Sequence, residues 1–205
     1  PLLDVRAPVE FAEGAFPSAR NHPLINDAER HQIGVTYADD GPQQAVALGE
    51  QLVSGSLKTA RIENWREFLM RHPSAALYCF RGGMRSEISQ RWLLEECGIR
   101  CPRVRGGYKA MRRFLLEQLE ETSQCCKPVV IGGRTGVGKT RLLERCSAYI
   151  DLEALANHRG SAFGGHTEPQ PTQIDFENAL SIALLKQTQG DNAFFAVEDE
   201  SRNVG

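Results

Sequence analysis

Ala75-Ala76-Leu77-Tyr78-Cys79-Phe80-Arg81-Gly82-Gly83-Met84-Arg85-Ser86 is the stretch on which the fold turns. Its first four residues form an apolar run that reads as a buried strand. After Ser86, Ile88, Trp92, Leu93 and Cys97 recur at helical spacing, and Gly98 supplies a stop. A cysteine therefore stands at a strand's end, two glycines turn the chain around it, and a helix begins. Glycines let backbone N–H groups point inward, and those donors, with the helix N-terminus, favour negative charge. In such settings thiol pKa values fall to roughly 3.5–7.5, from about 8.5 when free. Arg81 and Arg85 add positive charge. A thiol used this way must open towards solvent. A merely structural cysteine would leave the paired glycines and paired arginines without a purpose.

Working outward, the stretch from Arg71 to Arg113 holds ten basic residues against three acidic ones, although the net charge of the chain is −2. Arg100, Arg103, Arg105, Lys109, Arg112 and Arg113 follow the cysteine loop and form a candidate surface for a polyanion. Upstream, Leu2-Leu3-Asp4-Val5-Arg6 reads as a strand ending in a charged pair. Gly14 to Pro23 is rich in turn residues. Helical patterns run from about Gln43 to Val53 and from Thr59 to Arg71, the second carrying Ile62, Trp65 and Leu69. Downstream, Cys101 to Arg105 reads as a short strand, and Gly106-Gly107-Tyr108 turns into another helix. Alternating strands and helices predict an α/β domain with a mostly parallel sheet.

Glu121 to Lys127 reads as a linker, and a second unit opens with Pro128-Val129-Val130-Ile131 as a buried strand. Gly133-Arg134-Thr135-Gly136-Val137-Gly138-Lys139-Thr140 then matches the full phosphate-loop pattern, with a strand before it and a helix after it. Its amides (Gly133, Thr135, Gly136, Val137, Gly138) would cradle a diphosphate, Lys139 would add a point charge, and Thr140 would reach a Mg²⁺ ion. Ala193 to Val197 reads as a further buried strand, and Asp199 just beyond it is a second candidate Mg²⁺ ligand. Asn157 to Gly164 and Gln170 to Asn178 read as loops over a ligand, with a helix from about Phe176.

Length and composition bound the rest. The 205 residues suffice for one large or two small domains, and 41% hydrophobic with 24% charged residues reads as soluble and globular. No apolar run approaches a membrane span. Six cysteines without a Cys-x-x-Cys pair argue against structural zinc and fit reduced thiols in a cytoplasm. Cys97, Cys101, Cys125, Cys126 and Cys146 read as packing or surface residues, and His22 and His31 as structural or exposed.

The Leu-Asp-Val-Arg opening, the Gly-x-x-Pro-x-Ala turn, the six-residue loop from Cys79 and the Gly106-Gly107 turn together resemble a rhodanese domain, over about residues 1–120. Joined to a phosphate loop, the chain resembles the bacterial tRNA 2-selenouridine synthase family. Further matches are Asp151-Leu152-Glu153, Ala156 to Ser161, Gln170 to Asn178 and Glu198 to Asn203. The resemblance implies a rhodanese-like parallel-sheet domain over 1–122 and a P-loop NTPase-like α/β domain over 123–205. Members of that family begin before Pro1 and continue beyond Gly205, so the second domain is expected to be incomplete. It implies replacement of sulfur by selenium at the wobble 2-thiouridine of tRNA, by way of an S-geranyl intermediate. Geranyl diphosphate and selenophosphate would be co-substrates, with the place for Mg²⁺ coming from the phosphate-loop pattern itself. Cys79, with Arg81, Gly82, Gly83, Arg85 and Ser86 around it, would handle selenium. The phosphate loop would hold the prenyl diphosphate, and the basic stretch from Arg100 to Arg113 would hold tRNA phosphates.

Two other readings fit the same residues. Cysteine, five residues, then arginine and serine is also the signature of cysteine-dependent phosphatases. Alternatively, the phosphate loop could be a nucleotide switch beside a docking domain.

Overall fold

The computed structural model describes residues 1–134, 136–157, 169–188 and 194–199. Thr135, most of the glycine-rich stretch from Asn157 to Gly164, and Glu200 to Asn203 lie outside the described residues. The chain forms two compact units. One comprises Pro1–Glu13 and Ser18–Met111; the other comprises Gly14–Pro17 and Arg112–Gly205. Each is mixed α/β with a parallel sheet, as the alternation of elements predicts.

In the first unit the described sheet has the order β2-β1-β3, built from β1 (Leu2–Asp4), β2 (Ala19–Asn21) and β3 (Ala76–Tyr78). Both pairings are parallel, with Leu3 opposite Arg20 on one side and Leu77 on the other. Around it lie α1 (Pro8–Glu13), α2 (Asp27–Asp39), α3 (Pro42–Leu52), α4 (Gly55–Arg71), α5 (Met84–Cys97) and the start of α6 (Gly107–Cys125). The core joins Leu3, Val5, Leu77 and Leu93, all fully buried, to Ile62, Trp65, Phe68 and Leu69 of α4. Full burial of one such aliphatic side chain contributes about 1.5–3 kcal/mol. Trp65 stacks on Trp92 at 6.3 Å and donates its indole N–H to the His22 carbonyl at 2.8 Å.

The structure corrects several expectations. The turn-rich segment at 14–23 contains β2, and Cys101 to Arg105 makes only an isolated bridge, Leu77 to Arg103. α2 has no counterpart in the apolar pattern, because its only buried residue is Glu29. Its signal is a capping box: Asn26 accepts from the Glu29 N–H, and the Glu29 carboxylate accepts from the Asn26 N–H. Glu121 to Lys127 is no linker, since α6 runs through Cys125 and β4 (Lys127–Ile131) follows at once.

In the second unit the described sheet has the order β4-β6-β5, with β5 (Tyr149–Ile150) and β6 (Phe194–Glu198) all parallel. α7 (Lys139–Leu143), α8 (Leu152–Leu155) and α9 (Gln173–Thr188) accompany it. The strands at β4 and β6 were expected to be buried. Instead Val129 is 50% exposed, Val130 56% and Phe194 58%. Among the described residues β4 pairs on one side only.

Candidate functional site

The cysteine loop leaves β3 and is clamped against the Gly106–Gly107 turn. The Cys79 carbonyl accepts from the Tyr108 N–H, and the Phe80 carbonyl from the Lys109 N–H, both at 2.9 Å. The two glycine pairs meet here with no room for side chains. A Cβ on Gly82 would stand 2.6 Å from the Gly106 nitrogen, and one on Gly107 would overlap the Cys79 carbonyl oxygen and the Gly82 nitrogen. Both glycines also have positive φ, 67° and 58°. Two sequence motifs 24 residues apart are thus one backbone contact. Behind it, Phe80 stacks on Tyr108, and the guanidinium of Arg6 lies 3.9 Å over the Tyr108 ring.

Within the loop the Cys79 thiol donates to the Ser86 hydroxyl oxygen at 3.3 Å, and that hydroxyl donates to the Gly83 carbonyl at 2.8 Å. Ser86 is fully buried. The sulfur's hydrogen-bond partners are therefore polar atoms of its own loop. Cys79 is nevertheless only 3% exposed and belongs to the core cluster, so the openly reachable thiol that the sequence predicts is not what the structure contains. An added Cβ on Gly83, whose carbonyl lies 3.8 Å from the Cys79 sulfur, would meet no atom within 4 Å. Cys101 differs: burial pushes its thiol up to about 11, and its sulfur reaches only backbone carbonyls.

The two loop arginines have different settings. Arg85 grips Glu10 through both terminal guanidinium nitrogens, one contact at 2.9 Å. Glu10 is buried, which opposes its charge, yet the Arg85 hydrogen bonds hold its carboxyl below the usual range. Arg85 thus ties the loop to α1, whereas Arg81 is exposed. Arg6 and Asp4 form a second buried pair at 2.7 Å; burial disfavours the Arg6 charge, and the bond to Asp4 more than restores it. Of the predicted polyanion contacts, Arg100, Arg105, Lys109 and Arg113 are exposed. Arg103 pairs with Glu87 at 2.7 Å, and Arg112 is held by Glu177 and Asn178.

In the second unit the phosphate loop leaves the carboxyl end of β4 and enters α7. Lys139 donates to the Gly133 carbonyl at 3.1 Å, which closes the loop on itself, and Leu143 anchors α7 in the interior. Gly136, Val137 and Gly138 are exposed, and Thr140 is half-buried. Asp199, just past β6, donates its N–H to the Ile131 carbonyl at 3.0 Å. Its Oδ2 is 3.9 Å from where a Cβ on Gly132 would lie. The adjacent parallel strands β4 and β6 therefore bring Asp199 to the start of the loop, at the strand ends where open α/β sheets bind ligands. Glu198 beside it is 4% exposed, and its Oε1 has no hydrogen-bond partner. Thr140 and Asp199 carry the hard oxygen donors that Mg²⁺ takes, and Glu198, adjacent to Asp199 in sequence, has a buried carboxylate oxygen without a hydrogen-bond partner. No group of three or more His, Cys, Asp or Glu gathers among the described residues.

The Gln170 to Asn178 motif, read as a loop over a ligand, is largely the start of α9 and serves packing. Asn178, fully buried, donates to the Ala15 carbonyl at 2.8 Å and accepts from Arg112 at 2.9 Å. Asp175 accepts from the Ala15 N–H. A polar residue at helical spacing from Ser181 and Leu184, both buried, is the signal that could have located this role.

Residues 126–205 match the family model described as the tRNA 2-selenouridine synthase AAA domain. This places the second unit in a defined class. Over its whole length the chain is 56% identical to the tRNA 2-selenouridine synthase of Bordetella bronchiseptica and 53% identical to that of Marinobacter nauticus, covering 56% of each. It is 56% identical to the Hahella chejuensis enzyme, covering 54% of it. The chain is similar along its whole length to tRNA 2-selenouridine synthases, and it spans about half the length of the curated relatives it matches. A solved structure, "N-terminal domain of putative ATP/GTP binding protein from Clostridium difficile 630", is 34% identical over 56% of this chain and 88% of its own, with a TM-score of 0.51. No described helix is long and apolar enough to cross a membrane.

Proposed function

We propose that this chain carries the reactive parts of an enzyme that converts 2-thiouridine at the tRNA wobble position to 2-selenouridine. The first unit is a rhodanese-type carrier domain with Cys79 as its reactive sulfur. The second is a P-loop domain whose loop holds geranyl diphosphate rather than a nucleotide.

Direct loss of sulfide from a conjugated ring is slow, so the sulfur is first alkylated. Its lone pair attacks the geranyl carbon; a C–S bond forms, the C–O bond breaks, and diphosphate leaves as the base loses its N3 proton. Lys139 and the amides of Gly136, Val137 and Gly138 steady the diphosphate as charge develops on it. Mg²⁺, held by Thr140 and Asp199, would supply further positive charge to that leaving group. In the second step selenium adds at the ring carbon that bears the S-geranyl group, and the bond from that carbon to sulfur breaks. Geranyl thiol departs with a proton, and water takes the phosphoryl group from selenophosphate. Cys79 positions the incoming selenium, which stays at the selenide level throughout so that no oxidant is needed, and Arg81 pairs with the selenophosphate. Arg85 supports the loop through Glu10. Arg100, Arg105, Lys109 and Arg113 meet tRNA phosphates, so binding weakens with salt. Such thiol chemistry belongs in a reducing cytoplasm.

The observation that carries the reading is the clamp between the Gly82 turn and Gly107, which builds a loop around one cysteine in a chain that also carries a complete phosphate loop. The test is mass analysis of the wobble nucleoside after incubating thiolated tRNA with the protein and geranyl diphosphate, then with selenophosphate. The expected products are S-geranyl-2-thiouridine and then 2-selenouridine. Unchanged 2-thiouridine contradicts the reading.

A further inference from the structure

A cavity of about 360 Å³ lies within the first unit, among α2, α3 and α5. That is the small end of the range for ligand pockets, about 300–1,000 Å³. Its walls are largely hydrocarbon, with Ile33, Val46 and Trp92 among them, and its charged groups include Arg85 and Glu10, which are bound to each other. The cavity opens to solvent beside Tyr37 and Met84, both exposed apolar side chains, so an apolar ligand can enter it and cover them. The wall also includes Gly34, inside α2, where an added Cβ would meet no atom within 4 Å. Glycine inside a helix is unfavourable, and here it leaves the space clear.

Met84 and Arg85 belong both to this wall and to the cysteine loop. A base presented to Cys79 therefore has an apolar chamber beside it. Its two guanidinium groups, Arg30 and Arg85, both pair with Glu10, so the chamber suits a hydrocarbon chain already parted from its diphosphate. We propose that this cavity holds the prenyl chain of the S-geranyl nucleoside while selenium is inserted, a branched chain of about ten carbons. The inference rests on the function proposed above and adds to it a second, separate prenyl site in the first unit.

Trp92 and Trp65 are the two tryptophans of the chain, and Trp92 lines the cavity, so indole fluorescence reports occupancy. The test titrates the full chain with geraniol and compares Gly34→Phe with Gly34→Ala. The expected result is a saturable fluorescence change that Gly34→Ala keeps. Gly34→Phe weakens it about tenfold or more, at an unchanged melting temperature. On tRNA already carrying S-geranyl-2-thiouridine, Gly34→Phe raises KM for selenation by a similar factor and leaves geranylation of 2-thiouridine tRNA as in the wild type. If Gly34→Phe does not fold, Val46→Trp fills the same space and carries the same expectations. Absence of saturable geraniol binding, or equal binding and equal KM in a folded filled variant, overturns the inference. Selenation by the wild type in that case leaves the proposed function standing, whereas geraniol binding without any modified nucleoside rejects the function.

Discussion

The cysteine loop and the phosphate loop are both glycine-rich turns between a parallel strand and a helix, yet they are held in different ways. The first is shaped from outside: Gly107, the Cys79 carbonyl and the Tyr108 N–H grip it, and the Glu10–Arg85 pair binds its far end. The second is shaped mainly by its own residues, with Lys139 reaching back to Gly133 and most of its length exposed. A loop that must present one sulfur at one position needs rigid walls. A loop that wraps a dianion needs inward amides, and the ligand itself completes the arrangement.

The difference can be broken most severely at Gly107. Gly107→Ala places a methyl on the Cys79 carbonyl at a positive φ, and is expected to cost about 3 kcal/mol or more by urea unfolding. A loss below about 1 kcal/mol would mean that the clamp is loose. Glu10→Gln is the intermediate case. The folded carboxyl titrates below its ordinary 4.5, so the unfolded chain takes up the proton first as pH falls. Stability from this group is complete above about 4.5 and is lost as pH drops through the folded value. Glu10→Gln should cost about 1–3 kcal/mol at pH 7 and abolish this part of the acid sensitivity, read from melts at pH 7 and pH 4. The smallest effect belongs to Gly83→Ala in the same loop, where the new methyl meets open space. It should change stability by less than about 1 kcal/mol by urea unfolding.

Much of this was legible from local patterns. The strand into Cys79, the helix ending at Gly98 and the phosphate loop between β4 and α7 are each set by short-range signals. What escaped is set by distant partners. β2 is three residues long and shows no alternation of its own. α2 is polar and was marked only by its caps. The role of Asn178 depends on Ala15, 163 residues away. The sequence rightly placed a cysteine in a loop with two glycines, but it could not show that Gly107 fills the space behind it or that Arg85 is bound to Glu10. The cavity arises from three helices separated in sequence and left no trace in any single one.

The most direct measurement of the central claim follows the two chemical steps separately on thiolated tRNA with Cys79→Ala and Lys139→Ala. The account predicts that Cys79→Ala geranylates normally and forms no 2-selenouridine, a loss of about a thousandfold or more. Lys139→Ala should lose about a hundredfold or more in geranylation yet selenate tRNA supplied already geranylated. Geranylation lost with Cys79→Ala and kept with Lys139→Ala would contradict it.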